Sequence, residues 1–400
     1  MEIKRDRYLQ QLIDYMWDGQ VKVITGICRC GKSYLLGTLF RNYLLGQGVL
    51  TENIISVELD LTRNIKYCDP LVLAEYVRKK VEGQSARFYL FVDEIQMSDT
   101  VKNPYNPEGK RITFYDALND LRSLQNLDVY VTGSNSKMLS KDILTEFRGR
   151  SDEIRVHPLS FAEFYSAVDG DKEDAFESYA FYGGMPLVLS RPNDTAKADY
   201  LTLLFSEVFL KDIVERKKIE CEDVLSQLVD LMCSSVGSLT NPKKIADTLR
   251  SKTGEDFAQN TISAYIAHLE DAFLFSESKR IDVKGRKYYE YPYKYYCGDI
   301  GLRNARIGFR QQEMTHIMEK IIYNELKLRG FSVDVGVVYS NEKNNSGTYS
   351  KVAQELKPFS LTGDSFPKII VRRDIRKSWY DESGALNIGI VEFLLNENLF

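Results

Sequence analysis

An α/β fold built on a parallel sheet covered on both faces is the architecture this sequence predicts, and three observations predict it. Short apolar runs alternate with helical patterns through residues 1–160. A glycine-bearing turn, Gly26-Ile-Cys-Arg-Cys-Gly31-Lys32-Ser33, follows directly on the apolar run Val21-Lys-Val-Ile-Thr25. A strand of buried character, Phe88-Tyr-Leu-Phe-Val92, ends in the carboxylate pair Asp93-Glu94. Alternation of this kind places helices on both faces of a parallel sheet. In such sheets ligands bind at the carboxyl ends of the strands, where both the turn and the carboxylate pair fall.

Each element follows in order. Tyr8, Leu9, Leu12, Ile13 and Met16 share one face of an opening amphipathic helix. The first strand is Val21–Thr25, and a helix of about 32–46 follows the turn. The second strand is Ile54–Leu59, with a helix near 70–82, before the strand ending at Asp93-Glu94. A helix around 113–125 leads to a fourth strand, Asp128–Thr132, with the polar tip Gly133-Ser134-Asn135, and a fifth runs from Glu153 to His157. Lys102–Lys110, with two prolines, two asparagines and a glycine, is a surface loop.

The turn fits G-x-x-x-x-G-K-[ST], and its chemistry is that of a phosphate cradle. Glycines let backbone N–H groups turn inward, Lys32 supplies a point charge for β- and γ-phosphates, and the Ser33 hydroxyl is suited to Mg²⁺. Gly26, Ile27, Cys28, Arg29, Cys30, Gly31, Lys32, Ser33 and Tyr34 are the expected nucleotide-binding set. Asp93 is the expected metal partner beside Ser33, and Glu94 the base that orients water. ATP and Mg²⁺ are the cofactors this implies.

Composition narrows the class. With 25 Tyr, 20 Phe and 44% hydrophobic residues, the 400-residue chain is long and apolar enough for two or three packed domains. Net charge is −4, so nucleic acid could be met only through a local patch. The six cysteines, at 28, 30, 68, 221, 233 and 297, form no CxxC pairs and have no histidine clusters, which speaks against zinc and a disulfide framework. A reducing, cytoplasmic setting is expected, and no 18-residue apolar stretch or signal-peptide pattern is present.

From Pro158 to about Leu204 the pattern is helical, broken at Tyr182-Gly-Gly-Met-Pro186. Residues 224–300 read as three helices and a hairpin: Asn241-Pro242 starts the second helix, and Asn260-Thr261 caps the third, whose stripe is Ile262, Tyr265, Ile266, Leu269 and Phe273. The β runs Phe275–Val283 and Lys287–Tyr291 meet at Lys284-Gly285-Arg286, which makes the region a winged helix. Lys279, Arg280, Lys284, Arg286 and Lys287 surround its wing, yet the module carries equal numbers of basic and acidic side chains. DNA, gripped by Lys284, Arg286 and Lys287, and a protein partner are both open. The last hundred residues hold a helix at about 312–329 and strands at 332–338, 367–372 and 386–391.

A fourth strand with a polar tip after the Glu94 strand resembles AAA+ and related NTPases, in which that strand lies between the phosphate-loop strand and the glutamate strand. The resemblance implies a sensor at Asn135, Ser134 or Thr132, with Asn135 preferred, and an arginine finger at Arg150, in cis or from a second subunit. More specifically, the chain resembles predicted bacterial and archaeal ATPases that join an AAA-type domain (AAA_14) to a DUF4143 domain. The resemblance rests on Val92-Asp-Glu-Ile-Gln96, Val131-Thr-Gly-Ser-Asn-Ser136, Gly149-Arg150 before His157-Pro-Leu-Ser-Phe-Ala-Glu163, Tyr182-Gly-Gly-Met-Pro186, Phe209-Leu-Lys-Asp-Ile-Val-Glu-Arg216 and Tyr296-Cys-Gly-Asp-Ile-Gly-Leu302. It implies a P-loop core (1–160), a helical lid (161–205), a winged helix (206–305) and an α/β domain similar to restriction-endonuclease cores (306–400). Asp334, Glu355 and Lys357 could form a nuclease acid and lysine set, but Pro358 and a shortened segment favour an inactive remnant. The expected function is an Mg²⁺-dependent ATPase, with a nucleotide-gated module of little turnover as the alternative.

Overall fold

A computed structural model describes residues 3–133, 149–234, 239–254, 257–283, 287–310, 313–337, 362, 364–397 and 399. The chain divides into two units, the first comprising Met1–Pro158, Met185–Leu187 and Asp271–Phe273, the second the rest.

Unit one opens with helix α1 (Asp6–Asp14) and strand β1 (Val21–Thr25). Helix α2 starts at Lys32–Tyr34, widens into π turns over Leu35–Phe40 and ends as Arg41–Gly46. Then come β2 (Ile54–Glu58), α3 (Pro70–Val81), β3 (Phe88–Asp93), α4 (Phe114–Leu121), β4 (Leu127–Thr132) and β5 (Ser151–Arg155). The sheet order is β2-β3-β4-β1-β5 with every pair parallel, so β4 does lie between β1 and β3.

Helix starts are set by local chemistry. Asp69 caps α3 by accepting from Leu71 N at 2.8 Å, with Pro70 in the first turn, and Thr113 and Asp116 form a capping box on α4. The inner strands β1, β3 and β4 are buried on both faces, so alternation along them separates two cores. Val21, Val23, Leu90, Val92, Val129 and Val131 pack with Leu73 and Val77 of α3 and Leu118 and Leu121 of α4. Phe91 and Tyr130 instead meet Phe40, with ring centroids 5.7 and 4.9 Å away. At the amino-terminal edge of the sheet Lys22 is wholly buried. Its ammonium donates to Asp128 at 2.6 Å and forms an ion pair with Asp18 at 2.6 Å, and Asp128 also accepts from Trp17 N and the Tyr130 hydroxyl.

Unit two holds α5 (Phe161–Ser166), α6 (Lys172–Tyr182) and α7, which runs from Asp194–Leu203 through π turns at Leu204–Leu210 into Lys211–Lys217. Three helices follow, α8 (Glu222–Ser234), α9 (Pro242–Thr253) and α10 (Gln259–Asp271), then β6 (Phe275–Asp282) and β7 (Lys287–Cys297). The remainder is α11 (Ile300–Arg306), α12 (Met314–Leu328), β8 (Val335–Val337), β9 (Ile369–Arg372), β10 (Trp379–Tyr380), β11 (Leu386–Gly389) and α13 (Ile390–Leu395).

Asn241 caps α9, accepting from Lys244 N at 2.7 Å, with Pro242 next. The third helix begins at Gln259, so Asn260 and Thr261 lie inside it rather than capping it. Phe273 is not part of its stripe: φ is +57° there, the helix has ended, and the ring lies under Arg155 within unit one. The hairpin strand extends to Cys297 instead of Tyr291, because Lys294 to Cys297 pair with Ser278 to Phe275 of β6 beyond a register shift between Ser278 and Arg280. β8 adds to β6 in parallel, giving a sheet β7-β6-β8. The run expected as one strand over 386–391 is a strand that turns at Gly389 into α13. Phe161 and Phe176 share one core with Ile300, Met318, Ile321, Ile388, Val391 and Phe393, so residues read as lid and as C-terminal domain are packed together. Lys284 and Arg286 of the wing lie outside the described residues, and Lys287 opens β7. Among the described residues no helix is long and apolar enough to cross a membrane.

Candidate functional site

The turn after β1 is built from backbone that only its residue types tolerate. Gly26 has φ +140°, and a Cβ there would sit 2.1 Å from Val156 O, so only glycine fits. Arg29, exposed, has φ +62°, and Gly31, at φ +102°, is the left-handed residue that starts α2. Ile27 and Cys30 are buried and anchor the loop, the Cys30 thiol donating to Val156 O at 3.4 Å. Cys28 is half-buried, and burial pushes its thiol up, although Lys32 pulls the other way. The Lys32 ammonium is folded over the loop, donating to Gly26 O and Ile27 O at 3.0 Å each. Tyr34 stands in the first turn of α2, half-buried.

Facing this loop is the end of β3. Ser33 Oγ donates to Asp93 Oδ1 at 3.1 Å, which brings a hydroxyl and a carboxylate together from α2 and β3. Burial raises the Asp93 carboxyl, an effect opposed by hydrogen bonds from Thr132 and Ser33. A half-buried carboxylate beside a hydroxyl, with Thr132 as a third oxygen, fits a hard divalent cation, which takes oxygen ligands. Glu94 has φ +56°, a left-handed conformation that costs a non-glycine residue about 1–3 kcal/mol and is concentrated at functional sites. The Gln96 amide donates to Glu94 Oε2.

Sequence reasoning preferred Asn135 as the sensor. Asn135 and Ser134 lie outside the described residues, whereas Thr132 is in the site: its hydroxyl donates to Asp93 Oδ1 and accepts from Glu94 N at 3.4 Å. Gln96 was named in the motif Val92–Gln96 but given no role, and that motif was its signal; it stands in the tight turn Ile95–Met97. Pro186, within unit one, is the other neighbour of the loop: its Cγ is 3.9 Å from the position a Cβ on Gly31 would take.

Arg150 is not brought to this site. Its carbonyl accepts from Val21 N at 3.1 Å, at the amino-terminal end of β1, whereas the phosphate-loop residues follow the carboxyl end. Five residues at about 3.3 Å each, roughly 16 Å of strand, intervene, so the cis alternative for an arginine finger falls away. In unit two Asp334 of the expected nuclease set accepts from the Tyr288 hydroxyl at 2.9 Å. Glu355 and Lys357 lie outside the described residues.

With this geometry in view, likeness to known proteins is informative. Residues 18–165 match the AAA domain family AAA_14, and 173–313 match a domain of unknown function, DUF8612. The DUF4143 identity expected from the sequence motifs is not shown by these matches. An uncharacterized protein of Haemophilus influenzae is 34% identical over 345 residues, covering 85% of this chain and 82% of that one. The chain belongs to that protein's family. An uncharacterized protein of Methanocaldococcus jannaschii is 26% identical over 341 residues, covering 81% of this chain and 70% of its own length. A Walker-type ATPase of Pyrococcus abyssi shares the fold, with a TM-score of 0.51 at 16% identity over 76% of this chain and 96% of that one. The first unit of this family member is accordingly a P-loop domain of AAA type.

Proposed function

We propose that the chain binds ATP with Mg²⁺ and hydrolyses it. The observation that carries this reading is the convergence of Lys32, Ser33, Asp93, Glu94 and Thr132 at the carboxyl ends of β1, β3 and β4. Phosphate oxygens would replace the two loop carbonyls at the Lys32 ammonium. Ser33 and Asp93 would hold Mg²⁺, which when bound neutralises charge on the phosphates. Glu94, held by Gln96, would orient the attacking water, and Thr132 would set the Asp93 carboxylate and the Glu94 backbone relative to each other. Lys32→Ala is expected to weaken ATP binding about a hundredfold, and Glu94→Gln to keep binding while losing turnover. Equal ATP affinity for wild type and Lys32→Ala in calorimetry would refute the binding half. Undiminished phosphate release by Glu94→Gln would refute the hydrolytic half.

The placement of Arg150 supports a second reading, in which a lone chain holds ATP with little turnover and hydrolysis waits for a finger from a second copy. Three helices followed by a β-hairpin support a winged helix as the output module, with DNA or a protein as its partner. Reversing Lys284, Arg286 and Lys287 to Glu separates the two. If DNA is the ligand, affinity for duplex falls together with its salt dependence; a flat salt response of the wild type excludes DNA.

A further inference from the structure

Two glycine-bearing segments that the nucleotide chemistry leaves unused, Tyr182-Gly-Gly-Met-Pro186 and Gly298-Asp-Ile-Gly301, meet through their unit-two residues. Asp299 is buried and caps α11, with Oδ1 accepting from Leu302 N at 2.9 Å. Its other oxygen accepts from Gly184 N at 2.7 Å. The backbones approach so closely that a Cβ on Gly301 would lie 1.9 Å from Tyr182 O, and one on Gly184 would lie 2.2 Å from Leu159 O. Asn304 adds donors to Ala180 O at 3.2 Å and Phe181 O at 2.9 Å, taking up carbonyls at the end of α6. The path of residues 182–184 is therefore fixed from several sides.

A helix cap alone does not require this carboxylate. Asn or Ser would cap α11 as well without burying a charge, and burial does raise the Asp299 carboxyl. What a single capping oxygen cannot supply is the second acceptor, the one that Gly184 N–H uses. The residue after Gly184 is Met185, almost wholly buried, and Met185–Leu187 belongs to unit one, where Pro186 lies against Gly31.

We propose that Asp299 is a positioning residue for the nucleotide site: by holding Gly184 it fixes the start of the Met185-Pro186 segment that packs against the phosphate loop. The proposal rests on the ATP-binding reading above. Without the Gly184 hydrogen bond, the segment beside Gly31 gains freedom that nucleotide binding must remove, and affinity falls while the reacting groups stay in place.

The test is Asp299→Asn in the full chain, titrated with a fluorescent ATP analogue. The amide oxygen keeps the cap on Leu302 N–H, while the NH₂ that replaces Oδ2 sets a donor against Gly184 N–H. The expected result is a Kd weakened about tenfold, with a melting temperature lowered by the lost Gly184 hydrogen bond and a wild-type single-turnover rate at saturating nucleotide. Asp299→Ser, which caps but is too short to reach Gly184, is expected to lose affinity to the same degree. Unchanged Kd in a variant that melts like wild type overturns the proposal. So does a lowered melting temperature in both variants with wild-type Kd in the folded fraction. Wild-type protein that binds no more ATP than Lys32→Ala sinks the underlying reading instead, a different result from equal affinities in wild type and Asp299→Asn.

Discussion

Lys22 and Lys320 are both wholly buried, and replacing each by Met is expected to move stability in opposite directions. Lys22 has partners in Asp128, Asp18 and the Gln20 carbonyl. Removing its ammonium leaves the Asp128 carboxylate as an uncompensated buried charge, which costs about 3–5 kcal/mol. The Lys320 amine has no hydrogen-bond partner among the described residues. An unsatisfied buried donor costs about 1–3 kcal/mol, and Met preserves the unbranched stem that fills the space, so Lys320→Met should gain roughly that amount. pH separates the two further. Burial pushes the Lys320 ammonium below its ordinary range, an effect reinforced by Arg303 and opposed by Cys297, Cys233 and Asp299. Between the lowered folded value and the unfolded lysine value the unfolded chain therefore binds more protons than the folded one at this group. Its contribution to stability rises as pH climbs toward that value, and Lys320→Met should flatten the slope. Melting curves of wild type and both variants at pH 7 and 9.5 provide the assay. A Lys320→Met variant that melts below wild type, or that keeps the wild-type pH slope, would refute the reasoning.

Gly26→Ala forces a methyl to 2.1 Å from Val156 O, so nucleotide affinity should fall more than tenfold with the circular dichroism spectrum unchanged; normal affinity would show that the loop can shift aside. Arg150→Ala should slow hydrolysis by a factor of about a thousand with little effect on binding, and mixing it with Lys32→Ala should restore part of the rate if the finger acts between copies. A wild-type rate per chain that does not change with concentration argues against that arrangement.

The nucleotide loop and the sheet were legible because their signals are local: a fixed glycine and lysine spacing, and apolar runs short enough to be strands. The sheet order was legible only through resemblance. Which end of the sheet a residue occupies is a matter of register, and for that reason Arg150 could be read as near its own nucleotide when it lies at the far edge. Asn135, the preferred sensor, lies outside the described residues, whereas Thr132, one of its alternatives, is brought to Asp93 by hydrogen-bond geometry that sequence does not show. Asn387–Leu395 is an apolar run too short for periodicity to tell strand from helix, and it contains both. Phe273 fits the helical spacing of its neighbours, but spacing does not show where a helix stops. The buried partners of Asp299 and the isolation of Lys320 depend on contacts across long stretches of chain, which no local pattern encodes.

The shared core of unit two has a consequence for synthesis. Phe161 and Phe176 are covered by Ile388, Ile390, Val391 and Phe393, residues that leave the ribosome long after them. At about 5–20 residues per second, those two rings wait on the order of 10–40 s for their partners. During that interval a growing chain displays aromatic surface that the finished protein hides. Chaperone demand should therefore be greatest while this half is being made, and a premature stop before β11 should yield a product that aggregates although its phosphate loop is already complete.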